Sequence, residues 1–181
     1  MAFFGLFGDK GRSVLGVDIG SSSLKVVQLK KQGGKAVLET YGELALGPYA
    51  GLEIGQATNL PADKIAETLR DLIREAKVTT AECGVGIPFA RSLLTLVELP
   101  RRPNKEEQKT IIELEARKYV PVAIDEVQLD WFVVPEDDPA APPKDKIRVL
   151  LVAVHNDELT LLQSVVRGAN LSASFYEIEI F

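Results

Sequence analysis

The sequence predicts an α/β protein, on three observations. Up to Leu46 the chain carries strand-like runs parted by Gly/Ser turns. A helical apolar stripe then appears at Ile65, Leu69, Leu72, Ile73 and Ala76. Beyond it, short β-branched runs alternate with further helical stretches to the end. With 181 residues, 46% hydrophobic and 26% charged, the chain can bury a sizeable core as one large domain or two small ones.

The elements follow in order. Val14, Leu15 and Val17, then Leu24, Val26, Val27 and Leu29, read as two strands of a hairpin spanning 13–31. Gln32-Gly33-Gly34-Lys35 marks a second turn, and residues 36–46 supply a third strand. Residues 47–60 read as irregular. Pro61 suits the first turn of a helix over 61–76, and 82–87 returns as a short buried strand stopped by Pro88.

A strand over 93–99 closes at Pro100. Asn104 is expected to cap a helix running to about Tyr119, with Glu106 and Glu107 in its first turn and Ile111, Ile112, Leu114 and Tyr119 as candidate core positions. Residues 127–134 form a strand holding Trp131. The Pro/Asp/Ala-rich stretch 135–145 reads as an exposed hairpin tip and 147–154 as the returning strand. Asn156 is expected to cap a last helix, ended by Gly168 or Asn170, before a final strand over 171–181.

Composition excludes several functions. A net charge of −5 speaks against a nucleic-acid surface, which needs clustered Lys and Arg. Cys83 stands alone, so no internal disulfide can form, which fits a reducing cytoplasm. No apolar run approaches the roughly 20 residues that cross a bilayer. The start, Met1-Ala2-Phe3-Phe4-Gly5-Leu6-Phe7-Gly8, lacks the basic flank and cleavage site of a signal peptide and reads as a flexible apolar tail over 1–12.

The sharpest local feature is Asp18-Ile19-Gly20-Ser21-Ser22-Ser23-Leu24-Lys25 at the first hairpin turn. Consecutive backbone N–H groups in such a turn can form a concave nest for an anion. Gly20 permits close approach, the hydroxyls of Ser21, Ser22 and Ser23 can donate to phosphate oxygens, and Lys25 adds a point charge. Asp18 could hold water on a Mg²⁺ bridging those phosphates. On these residues alone an ordinary solvated hairpin is the commoner reading. The charged residues from Glu106 to Lys118 read as a solvated helix face, with a partner surface as the alternative. Asp125, Glu126 and Asp130 read as strand-end and turn residues, His155 as structural, and Cys83 as a small core residue.

Together these pieces resemble a known family. Asp18 to Lys25 is similar to the first phosphate motif of actin-like ATPases. Gly86-Ile87-Pro88-Phe89-Ala90-Arg91-Ser92, Val97-Glu98-Leu99-Pro100, Ile112 to Pro121 and Ile124 to Trp131 resemble the PilM-type proteins of type IV pilus assembly. The resemblance spans essentially the whole chain. It implies an RNase-H-like domain of the actin/FtsA type with a mixed sheet and an inserted small α/β subdomain. Residues 13–88 plus 171–181 would be subdomain 1A and residues 89–170 the inserted subdomain 1C. The family's second nucleotide-binding domain would be absent, so the chain is expected to be the first half of a longer protein.

The resemblance further implies a cytoplasmic adaptor at the inner face of the inner membrane. It would bind the N-terminal tail of a PilN-like membrane protein and connect to the pilus assembly motors. Full-length relatives hold ATP with Mg. Here Asp18, Gly20, Ser21, Ser22, Ser23 and Lys25 are the expected contacts, Asp18 reaching the metal through water. Gripped from one side, ATP is expected to bind weakly or not at all, without hydrolysis. The alternatives are a fragment of a catalytic actin-like ATPase or sugar kinase, or of an FtsA-like or GspL-like scaffold. Self-association through the last strand's edge is expected as well.

Overall fold

The computed structural model describes residues 11–136 and 145–180. Most of the expected N-terminal tail and of the expected hairpin tip therefore lies outside the described residues. Contacts divide the chain into two compact units: residues up to Phe89 together with those from Leu159 onward, and Ala90–Glu158.

The first unit opens with the three expected antiparallel strands, β1 (Ser13–Ile19), β2 (Ser23–Gln32) and β3 (Lys35–Ala45). Then come α1 (Ala62–Glu75) and β4 (Glu82–Ile87), and after the second unit β8 (Ser172–Ile178). The sheet order is β3-β2-β1-β4-β8, with β4 parallel to both β1 and β8. This is the expected mixed sheet. Alternation works as the pleat requires. Leu15, Val17, Ile19, Leu24, Val26, Val85 and Ile87 are buried, as is the stripe Ile65, Ala66, Leu69 and Leu72 of α1.

Two polar side chains, Gln28 and Thr68, are buried among the described residues of this unit, and Thr68 Oγ1 donates to Lys64 O within α1. Gln28 is buried, and its amide is fully used: Nε2 donates to Glu39 Oε2 (2.7 Å) and Thr79 Oγ1 (2.8 Å), while Oε1 accepts from Thr79 N (2.8 Å). Glu39 is the extra residue of a β-bulge. Gln28 pairs with Thr40 and Leu29 with Leu38, so Glu39 has no partner in β2.

In the second unit β5 (Ser92–Pro100), β7 (Lys146–His155) and β6 (Val127–Val133) form an antiparallel sheet in that order. Its core joins Val97, Leu99, Ile147, Val149 and Leu151 to Ile112 and Ala116 of α2 (Lys105–Ala116), with Leu129 and Trp131 packed against them. Asn104 caps α2 as its sequence predicts, its side chain accepting from Glu106 N at 2.9 Å.

Two expectations for α2 are corrected. The helix ends at Ala116, and the last turn tightens, with Lys118 N on Glu115 O and Tyr119 N on Ala116 O. Leu114 and Tyr119 are exposed, by 55% and 41%. One sheet face offers one stripe, which Ile112 and Ala116 occupy at i, i+4. Leu114, about 200° further around the helix, points away from it.

The last helix, α3 (Asn156–Gly168), begins where Asn156 Nδ2 donates to Asp125 O (2.8 Å). It ends through left-handed Asn170 (φ 59°), with Leu171 N bonded to Val166 O. From Leu159 onward it counts with the first unit, so the second unit is shorter than the expected 89–170. The cause is packing. A Cβ built on Gly168 would lie 2.8 Å from Ala66 Cβ of α1, and Arg70 Nη1 donates to Gly168 O.

Candidate functional site

The turn from β1 to β2 gathers all six candidate residues. Asp18 stands near the end of β1, Gly20 to Ser22 make the turn, Ser23 begins β2, and Lys25 lies directly across the ladder from Asp18. Gly20 N donates to Ser23 O at 3.1 Å. A Cβ at Gly20 would come within 2.9 Å of that same oxygen, so glycine is what this tight turn admits.

The turn's carbonyls are tied from behind. Ser22 O accepts from Leu46 N (2.8 Å), and Ser21 O accepts from both Thr58 N (2.8 Å) and Thr58 Oγ1 (3.1 Å). The amide N–H groups of Ser21 and Ser22 have no acceptor among the described residues. A trans peptide points its N–H opposite its carbonyl, so the ties on the Ser21 and Ser22 carbonyls turn the amides of Ser22 and Ser23 away from Thr58 and Leu46. Neither Thr58 nor Leu46 is signalled in the sequence, because both reach the turn from distant segments.

Register adds three further residues. Glu43 of β3 pairs with Lys25, Gly86 of β4 with Asp18, and Glu177 of β8 with Gly86. One row therefore crosses the sheet as Glu43, Lys25, Asp18, Gly86 and Glu177, with strands about 4.8 Å apart. Lys25 Nζ lies 3.4 Å from Asp18 Oδ2, with both side chains well exposed. The row closes one end of a trough of about 920 Å³ on this face of the sheet. Gly16 and Gly84 floor the trough, and Val27, Tyr41 and Phe175 line it. A Cβ on Gly84 would run into the Phe175 ring.

Chemically, the turn offers outward amides, three hydroxyls and one ammonium, the donor set of an anion site. No group of three His, Cys, Asp or Glu side chains able to hold a metal gathers among the described residues.

The other candidates fall elsewhere. Cys83 is buried, and burial, reinforced by the charge of Glu82, pushes its thiol up to about 11, so it is no nucleophile at neutral pH. His155 ends β7 in an exposed position. Asp130 Oδ1 accepts from Trp131 N, a local strand contact. Arg91 pairs with Glu158 at 2.7 Å. On α2, Lys109 reaches Glu113 at 3.9 Å, the i,i+4 spacing of a solvated helix face.

Residues 16–181 match the family of type IV pilus assembly protein PilM. The fold is similar to that of a chain in the PilM-PilN type IV pilus biogenesis complex, with TM-score 0.72 and 23% identity over 92% of this chain and 47% of that one. It is also similar to the cytoplasmic domain of EpsL, an inner-membrane component of the type II secretion system of Vibrio cholerae. There the TM-score is 0.54 and the identity 12%, over 91% of this chain and 57% of that one. The chain thus spans about half the length of these solved relatives. The likeness shows the actin-like α/β fold. No helix among the described residues is long and apolar enough to cross a membrane.

Proposed function

The chain belongs to the type IV pilus assembly protein PilM family, and from that premise we propose that it is an adaptor that docks the N-terminal tail of a PilN-like inner-membrane protein. The observation that carries this reading is the family match over nearly the whole chain. The fold it shares with a chain of a PilM-PilN complex supports it. In this reading the protein works in the cytoplasm at the inner face of the membrane, held there by its partner and meeting the assembly motors. The five-stranded unit corresponds to subdomain 1A and the three-stranded unit to subdomain 1C. The family match favours this over a GspL-like secretion scaffold or an FtsA-like one.

The serine turn is half of an actin-like ATP site. The amides of Ser22 and Ser23 and the hydroxyls of Ser21, Ser22 and Ser23 would donate to phosphate oxygens, and Gly20 would allow their close approach. Lys25 would exchange its exposed bond to Asp18 for phosphate, at small cost, because an exposed pair contributes about 0–1 kcal/mol. Asp18, so released, would hold water on Mg²⁺. Bound Mg-ATP would supply a charged polyphosphate that orders this turn. Edge strand β8 offers a route to self-association.

The test is a calorimetric titration of the chain with a synthetic PilN-type N-terminal peptide, with and without Mg-ATP. Saturable binding insensitive to nucleotide is the expected result. A folded sample that takes up no peptide would overturn the adaptor reading for this chain.

A further inference from the structure

The structure assigns Thr58 a positioning role: it aims the Ser22 amide of the serine turn. The inference rests on reading that turn as a phosphate cradle. A peptide group is rigid, and its C=O and N–H point in opposite directions. Whatever holds the carbonyl therefore sets where the next amide points. The Ser21 carbonyl is held by one residue twice, by Thr58 N at 2.8 Å and Thr58 Oγ1 at 3.1 Å. The N–H of that peptide belongs to Ser22 and has no acceptor among the described residues. Leu46 N holds the Ser22 carbonyl in the same manner at 2.8 Å. Each tie turns the next amide, that of Ser22 and then that of Ser23, away from the group that holds the carbonyl, and consecutive amides so held are what an anion nest uses.

A turn of glycine and serines has little of its own to resist a peptide flip, since glycine takes either sign of φ and serine bonds readily to nearby backbone. The restraint must come from outside the turn. Thr58 lies in the irregular segment between β3 and α1, where Leu52 and Ile54 are exposed by 42% and 80%. From Gly51 to Ala57 this segment is largely exposed, and the bonds of Thr58 to Ser21 are directed at the turn. Thr58 does not face the anion itself. It acts through Ser21 and is a positioning residue.

Thr58→Val keeps the shape and the backbone donor but removes the hydroxyl bond, and Thr58→Ser keeps both. Mg-ATP binding by calorimetry and amide hydrogen exchange across residues 18–25 are measured on the whole chain, with thermal melting as a control. The expected result for Thr58→Val is about fivefold weaker Mg-ATP binding, the worth of one hydrogen bond, faster exchange at Ser22 and an unchanged melting temperature. Thr58→Ser should restore both values. Equal affinity and equal exchange in wild type and Thr58→Val would overturn the positioning role, as would a Thr58→Ser protein that behaves like Thr58→Val. If the wild type takes up no Mg-ATP, the phosphate reading of the turn fails. The exchange comparison then still decides whether Thr58 aims the Ser22 amide.

Discussion

Replacing Gln28 with alanine should cost the fold as much as truncating a buried apolar residue of the opening hairpin. The side chain is 2% exposed and makes three hydrogen bonds of 2.7 to 2.8 Å, two of them to Thr79. Each such bond contributes about 1 kcal/mol net, and a buried donor left without a partner costs about 1–3 kcal/mol. Gln28→Ala deletes the bonds and leaves the Thr79 amide without its acceptor, so a loss of about 3–4 kcal/mol is expected. Gln28→Leu, which keeps the volume, should recover only the packing share, about 1 kcal/mol. Urea unfolding followed by tryptophan fluorescence and circular dichroism measures both. A loss below about 0.5 kcal/mol for Gln28→Ala, the range of an ordinary surface change, would refute the argument. It would mean that water reaches the Thr79 amide. The consequence extends to the site, because Gln28 holds the carboxylate of the bulged Glu39. The bulge sets the register that brings Glu43 opposite Lys25, and a one-residue slip would send Glu43 to the other face.

Three further outcomes are expected. Hydrogen bonds from Ser13, then Gln28, hold the Glu39 carboxyl below its ordinary value of 4.5. A depressed carboxyl stabilises the fold above the unfolded value and ceases to as pH falls through the folded one. The urea midpoint should therefore fall as pH drops below about 4.5, and less steeply in Ser13→Ala; parallel profiles would count against the linkage. On α2, Ile112→Ala should cost about 2–5 kcal/mol by opening a cavity, whereas Leu114→Lys should stay within about 0.5 kcal/mol. Comparable losses from the two would contradict the observed helix orientation. Finally, the Cys83 thiol, raised to about 11 and buried, should react with Ellman's reagent at pH 8 only at the rate of unfolding; prompt labelling of native protein would show an accessible thiol.

The parts of this protein legible in the sequence are those decided within a few residues. The Gly20–Ser23 turn, the apolar stripe of α1 and the Asn104 cap each depend on contacts made inside one turn or one helix, so residue type and spacing declare them. Family membership was legible for the same reason, through short motifs along the chain. Leu114 shows the boundary of such reasoning. It is apolar and helical, yet which stripe of α2 is buried depends on a sheet built from β5, β6 and β7, whose strands lie on both sides of α2 in the chain. The reach of the second unit was likewise settled by close packing of Gly168 against α1.

At the candidate site the division is sharper. Asp18, the serines and Lys25 are neighbours in the chain, and the sequence by itself determined that donors and a carboxylate meet at one turn. Glu43, Gly86 and Glu177 join them only because parallel and antiparallel ladders align five strands in one register. Thr58 and Leu46 reach the turn's carbonyls from outside it, and so only the tertiary structure decided which way its amides face. Residue type determines what a group can donate or accept, but the direction of a peptide plane is set by whatever distant segment holds its other side.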